Sequence, residues 1–341
     1  ARLQPTGTPL PSRFLLQVDG AGSYLVVRKQ ATTFGPVSSS RRPDVGLMSQ
    51  ADTPWLVVER LDEDYFLRSD GQAKVNGQPV TSKLLASGDR RYLPLIKEQV
   101  RDAAKYADPE RRSYHSWFYG PVNLLLSEYT LATGDRTFMK ALRRVTMDIV
   151  RGQSEVGSWG HRFVQGNGRL AGYGMMNAPG LPLAASLVLA REAGVKNEAL
   201  DAAIEKSARL IRFYVGKGSV PYGDHHPWTQ THDDNGKNGI AALLFQLLGD
   251  AEAAEYFSRM SVASHGAERD GGHTGNFFNM LWALPGVARS GPQATGAWMR
   301  EFGWYYDLTR RWDGSFLHQG PPALRPDRYR RWDCTGVYLL A

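Results

Sequence analysis

Leu131-Ala132-Thr133-Gly134-Asp135 and, much further along the chain, Leu247-Leu248-Gly249-Asp250 are two copies of one signal. In each, an apolar run ends at a glycine and an acidic residue follows at once. Glycine takes the left-handed conformation that terminates a helix, and a following Asp accepts the free amides of a new one. Ala193-Gly194-Val195-Lys196-Asn197 is a looser copy. The flanking segments have a helical period. Phe138, Leu142, Val145 and Ile149 fall at three- and four-residue steps, as do Ala203, Ser207, Leu210 and Ile211. A second kind of punctuation alternates with these tight turns: Gly157-Ser158-Trp159-Gly160, Gly218-Ser219-Val220-Pro221-Tyr222-Gly223, Asp270-Gly271-Gly272-His273 and Asp313-Gly314-Ser315-Phe316. Short and long links in alternation describe helical hairpins in series, from about Pro94 to the last residue.

Working back from there, the pattern changes to short β-rich runs. Phe14–Val18 and Tyr24–Arg28 are separated by the turn signal Asp19-Gly20-Ala21-Gly22, and Trp55–Arg60, Asp64–Arg68 and Val75–Val80 continue the series. Repeated short strands without a helical period predict a β-sandwich over residues 1–90, with helices over 91–341.

The 341 residues suffice for two domains, and 42% hydrophobic content allows a large core. A net charge of +7 arises from 41 Lys and Arg against 34 Asp and Glu. The basic residues form no run longer than pairs such as Arg111-Arg112 and Arg330-Arg331, and no nucleic-acid motif is present, so nucleic acid is not an expected partner. No apolar run reaches membrane-spanning length, so no membrane partner is expected either. Cys334 is the one cysteine, which excludes an intrachain disulfide and a CxxC metal site. The compartment is open: cytoplasmic if the β-domain binds proteins, exported if the helical domain acts on glycans.

Thr32-Thr33-Phe34-Gly35, Pro43-Asp44-Val45-Gly46-Leu47, Asp64-Tyr65-Phe66-Leu67, Val75-Asn76-Gly77 and Leu84–Asp89 together resemble a forkhead-associated (FHA) domain. That resemblance implies a phosphothreonine-binding sandwich and a docking role toward a protein partner. The sequence departs from the family at the phosphate site. Pro36 stands where the family has Arg, and Ser49-Gln50-Ala51-Asp52 lacks the family's Arg and His. Arg41, Arg42 and Asn76 are the remaining phosphate-binding candidates, and phosphothreonine binding is expected to be weak. An FHA domain continues with two more strands after Gly88-Asp89-Arg90. Here Arg91-Tyr92-Leu93-Pro94-Leu95 reads as a helix start, so a segment is expected to be missing between Arg90 and Arg91.

The Gly-Ser-aromatic loops resemble those of the terpenoid cyclase and protein prenyltransferase superfamily, which implies an α/α toroid of helical hairpins. Residues 91–341, through Asp270–Trp282 and Arg311–Phe316, also resemble a bacterial helical domain family of planctomycete-type proteins that carries no known activity. The expected fold is therefore an FHA-like β-sandwich followed by an α/α toroid, with the last elements of the ring lying beyond Ala341.

In a toroid the inner helices start at the return loops, and their N-termini converge on one mouth of a funnel. Tyr114–Trp117, Gly172–Asn177, His232–Asn238, Gly272–Asn276 and Trp332–Thr335 are those starts, and they concentrate His, Asp, Asn, Tyr and Trp. As ordinary helix caps, Asp233 or Asp234, Thr274 and Asp333 would need no other role. Five polar mouths in one ring point instead to a polar ligand site. The superfamily's own chemistries fit poorly. Thr231-His232-Asp233-Asp234 lacks the first Asp of a class II cyclase acid, and a thioester Cys-Gly-Glu-Gln is absent. His273, Asp333 and Cys334 have the residue types of a prenyltransferase zinc site, but in the opposite order along the chain.

Carbohydrate chemistry fits better, because toroids also host polysaccharide lyases and glycosidases. Trp117, Trp159, Tyr173, Trp228 and Trp332 are candidate sugar platforms, with His115, Asn177, Lys237 and Asn276 as further substrate contacts. Asp234 and Asp333 would be the carboxylate pair of a hydrolase. Tyr173 or His273 would be the base of a lyase, with Lys237 neutralising an acidic sugar. Asp234, His273 and Asp333 are expected within about 10–15 Å of one another, the span of adjacent helix ends. No cofactor is expected. Three readings follow: a glycan-active hydrolase or lyase, a non-catalytic binding or assembly protein, and a zinc-dependent enzyme.

Overall fold

A computed structural model describes residues 13–18, 22–27, 29–36, 43–47, 56–61, 64–69, 93–170, 172–223, 226, 236–264, 277–311, 315–317 and 334. The chain divides into two compact units, one of Ala1–Pro79 with Arg310–Ser315 and one of Val80–Thr309 with Phe316–Ala341.

The described residues of the first unit include six short strands. β1 (Arg13–Val18) and β2 (Gly22–Val27) form an antiparallel ribbon in which Arg13 faces Val27 and Val18 faces Gly22. A separate sheet has the order β4-β3-β5-β6, from β3 (Ala31–Pro36), β4 (Val45–Leu47), β5 (Leu56–Leu61) and β6 (Asp64–Ser69). β3 and β4 run parallel, and the other neighbours are antiparallel. Asp44 fixes the β3–β4 junction. Its Oδ2 accepts from Thr33 N at 3.1 Å and Thr33 Oγ1 at 3.0 Å, and its own N–H donates to Thr33 Oγ1 at 2.9 Å. Hydrogen bonding from Lys29 and then Thr33 holds the Asp44 carboxyl below the usual carboxylate range.

These strands do not amount to the predicted FHA-like β-sandwich. A sandwich needs two multi-stranded sheets covering each other. Among the described residues, one sheet is a two-stranded ribbon and the other a mixed four-stranded sheet with a three-residue edge strand. The chain as described is mainly helical. Arg41, Arg42, Asn76 and the Arg90–Arg91 junction lie outside the described residues.

The second unit is built of helices. α1 (Leu93–Ala104) leads through two short 3-10 turns, Lys105–Ala107 and Pro109–Arg111, to four hairpins. These are α2 (Ser116–Thr133) with α3 (Met139–Arg151), α4 (Asn177–Glu192) with α5 (Glu198–Arg212), α6 (Lys237–Leu247) with α7 (Ala251–Ala263), and α8 (Phe277–Ala288) with α9 (Pro292–Thr309). The first helix of each hairpin packs on the first of the next, giving a continuous layer α2–α4–α6–α8. The neighbours in this layer run in the same direction. Gly120 of α2 meets Pro182 and Leu183 of α4, and one turn on Asn123 Nδ2 donates to Ser186 O at 3.2 Å and Ser186 Oγ at 3.0 Å. Thr146 Oγ1 of α3 donates to Asn123 Oδ1 at 3.0 Å, so one buried amide ties three helices together.

The predicted closed toroid is also not what the described residues form. Among the described residues, α8 makes no substantial contact with α2, and the four hairpins described there form an open series.

The tight links follow the sequence signals with one difference. Gly134 and Gly249 take φ of 69° and 75°, and Gly134 N donates to Thr130 O at 2.9 Å. Asn197 and Asp250 cap their helices, accepting from Ala199 N and Ala253 N. Asp135 lies four residues before the Met139 start of α3: its Oδ1 accepts from Thr137 N at 2.9 Å, while its Oδ2 accepts from Lys97 Nζ at 2.8 Å and Tyr129 OH at 2.7 Å. Among the described residues, no helix is long and apolar enough to cross a membrane.

Candidate functional site

The return loops stitch the N-termini of α2, α4 and α6 into one end of the hairpin layer. Ser116 N, at the start of α2, donates to His161 O at 3.0 Å, and Phe163 N donates to Tyr114 O at 3.0 Å. His115 and Arg162 thereby form a two-residue β-bridge. At the start of α4, Met176 N donates to Trp159 O at 2.7 Å and Asn177 N to Tyr222 O at 2.8 Å. At the start of α6, Asn238 Oδ1 accepts from Val220 N at 3.2 Å and its Nδ2 donates to Ser219 Oγ at 2.9 Å. Residues 219–223 therefore bind both the α4 and the α6 N-termini.

On this end lies a cluster of rings. Trp117 Nε1 donates to His161 Nδ1 at 3.0 Å. The His161 ring is 6.2 Å from that of His115 and 5.6 Å from that of Tyr173. Phe118 packs on His115 at 5.1 Å. Tyr173 is 73% exposed and Phe118 50% exposed, so both rings present broad apolar faces to solvent. Tyr114 enters the cluster with φ of 50°, in the left-handed region rarely taken by a residue with a side chain. Its ring stacks on Tyr119, and Arg112 Nη1 donates to its hydroxyl at 3.3 Å. Arg112 is anchored in turn by the buried Asp148, whose Oδ2 is 3.1 Å from Arg112 Nε. A backbone held in this way against its own preference is a constraint associated with functional sites.

Burial lowers the His115 pKa, and the neighbouring His161 and Arg162 lower it further, so His115 is a neutral imidazole near pH 7. Behind it, burial pushes the Tyr119 phenol up to about 12, which keeps it a neutral core ring.

The sequence-predicted residues divide three ways. His115, Trp117 and Tyr173 come together in this cluster. Asn177 and Lys237 sit at the same end but are each 1% exposed. Asn177 is a clamp, with Nδ2 donating to Pro221 O at 2.9 Å. Asp234, His273, Asp333, Asn276, Trp332 and Trp228 lie outside the described residues. Trp159 is corrected from sugar platform to core residue: it is fully buried, and its Nε1 donates to Ile149 O at 2.9 Å. Cys334 is buried among Met280, Trp298 and Phe316, the setting of a small apolar side chain. Among the described residues, no three His, Cys, Asp or Glu side chains gather as a metal site would require. His161 and Phe118 were not anticipated. Their signal was available, since His161 directly follows the Gly157–Gly160 return motif and Phe118 follows Trp117.

A family model for a domain of unknown function, DUF6288, matches residues 58–341. The match begins inside β5 and runs on through the helical hairpins. No curated protein matches the chain.

Proposed function

The chain belongs to the DUF6288 family, and from that premise we propose that the end of the hairpin layer carrying Trp117, His161 and Tyr173 is a glycan-active site, used by a lyase or hydrolase. The observation that carries this reading is the exposed Tyr173 ring resting on His161, which is itself held by Trp117. A 73% exposed aromatic ring stabilises no core, whereas a sugar face with its apolar C–H groups can stack on it. Imidazoles beside such a platform hydrogen-bond sugar hydroxyls, and the neutral His115 can take part in proton transfer. Within this reading elimination is favoured over hydrolysis. The described cluster offers imidazoles and a phenol, the groups that assist removal of a proton next to a uronate carboxylate. Hydrolysis would draw on the carboxylates Asp234 and Asp333.

The test is incubation of the whole protein with acidic and neutral polysaccharides, following both unsaturated products by ultraviolet absorbance and new reducing ends. Product formation that falls at least tenfold in Tyr173→Ala supports the reading. Binding lost in Tyr173→Ala with no product from wild type favours a non-catalytic glycan-binding role. Neither binding nor product from any polysaccharide removes the proposal.

A further inference from the structure

We propose that Trp117 is a positioning residue of this site, whose indole N–H holds His161 as a neutral imidazole with its proton on Nε2. The inference deepens the glycan reading, and its functional meaning rests on that reading. The geometry behind it does not.

An indole nitrogen is a donor only. At 3.0 Å from His161 Nδ1, it requires a lone pair there. A neutral imidazole carries one proton, so that proton is on Nε2. An imidazolium would carry a second proton on Nδ1, pointing at the indole N–H. Protonation therefore costs the hydrogen bond and sets two donors face to face.

The backbone makes this contact hard to escape. Trp117 lies in the first turn of α2, one residue after Ser116, whose N–H donates to His161 O. His161 is thus fixed by its main chain to the helix that carries its side-chain partner. His115 on the other strand of the bridge and Tyr173 on the return loop are titratable groups beside the His161 ring, and Arg162 is next in the chain.

Trp117 thereby has a role besides offering a ring. It fixes which nitrogen of His161 donates, and it favours the neutral imidazole of His161 over the imidazolium. A fixed Nε2–H suits an oxygen acceptor such as a sugar hydroxyl or a uronate carboxylate.

The experiment is histidine-selective ¹⁵N NMR on the full chain. In wild type, His161 is expected as the Nε2–H tautomer. Trp117→Phe keeps an aromatic ring but removes the donor, and should raise the His161 midpoint by about one pH unit, the equivalent of one hydrogen bond. Tyr173→Phe keeps the Trp117 bond and should leave the midpoint in place. An Nδ1–H tautomer in wild type, or an unchanged midpoint in Trp117→Phe, overturns the proposal. If Trp117→Phe does not fold, the wild-type tautomer decides alone. No glycan enters this measurement, so it can fail or succeed apart from the glycan reading. If both hold, the acid limb of turnover should shift upward in Trp117→Phe by the same amount.

Discussion

Gly239→Ala puts the packing of the inner layer under direct test. Gly239 lies in the first turn of α6, where α8 crosses it. A Cβ at this position would stand 2.1 Å from Trp282 O, 2.9 Å from Trp282 C and 3.0 Å from Ala283 Cα. All three are backbone atoms of a helix, so no rotamer change relieves the clash. The opposite residue is equally tight, for a Cβ on Gly286 would fall 2.4 Å from Gly239 Cα. To reach ordinary contact, α6 and α8 must separate by roughly 1 Å, and close-packed interiors resist that. Two effects compete. Alanine gains about 1 kcal/mol of helix propensity over glycine. Overpacking costs about 1–3 kcal/mol, and more when backbone must move. The second should win, because moving α8 also disturbs Ser258 Oγ and Ser261 Oγ of α7, which donate to Gly286 O at 2.8 Å and Ala283 O at 3.2 Å. A net loss of about 2 kcal/mol or more is expected from equilibrium denaturation with urea. Gly134→Ala is the control: its Cβ meets nothing within 4 Å, and only the φ of 69° opposes it, at about 1–2 kcal/mol. If Gly239→Ala is as stable as wild type, the close crossing of α6 and α8 is wrong, and with it the placement of the α6 N-terminus beside residues 219–223.

Other outcomes follow from the same structure. Tyr173→Ala should leave the denaturation midpoint within about 0.5 kcal/mol of wild type, since exposed side chains contribute little, while glycan retention on an affinity column is lost. Trp159→Phe should cost about 1–3 kcal/mol by leaving the buried Ile149 carbonyl without its donor, with no change in glycan binding; a matching loss of binding without destabilisation would return Trp159 to the site. Asp135 is held below the usual carboxylate range by Lys97 first, then Thr137 and Tyr129. A depressed folded pKa contributes stability above the unfolded value near 4 and loses it as pH falls toward the folded value. Wild-type stability should therefore drop on acidification below about pH 4 more steeply than that of Asp135→Asn, and equal slopes would show that Asp135 is not paired in this way.

The helical part was legible in its outer layer and in its links, for a physical reason. α3 and α5 cover the outside, so each buries one stripe. Leu142, Val145 and Ile149 are inside, as are Leu200, Ala203, Ile204 and Ile211, and that contrast is written at helical spacing. The inner helices carry no such contrast. In α4 every residue from Asn177 to Val188 is buried, so hydrophobicity does not oscillate around the helix. Their signature is smallness at the crossings: Gly120, Gly180, Gly239 and Gly286 all lie where another segment approaches closely. The β part was misread at a different level. The runs now seen as β1, β2, β5 and β6 carry local turn and alternation signals. Which strand pairs with which is non-local, so the sandwich inferred from the spacing of short strands, and from the family resemblance after it, had no local support. The antiparallel β1–β2 pair joins runs on either side of the Asp19–Gly22 turn signal, whereas the parallel β3–β4 pair has no local mark.

The candidate site shows the same division within one loop class. Tyr173 lies in a return loop and Asn177, four residues on, is the first residue of α4, so both are polar residues at a helix start. Residue type made them equal candidates. Burial separates them. Asn177 turns its amide to Pro221 O and so holds the α4 start against the next loop, while Tyr173 has no such duty and leaves its ring outside. The pairing of Trp117 with His161 is further from view, because it depends on a β-bridge between residues 115 and 162 that brings two loops together. Once that bridge forms, a donor-only indole faces an imidazole, and the protonation state of the site is decided by a contact that neither local sequence contains. The polar mouth of a helical hairpin array is therefore better sought by asking which loop residues are excused from holding the helices together than by collecting the polar residues at helix starts.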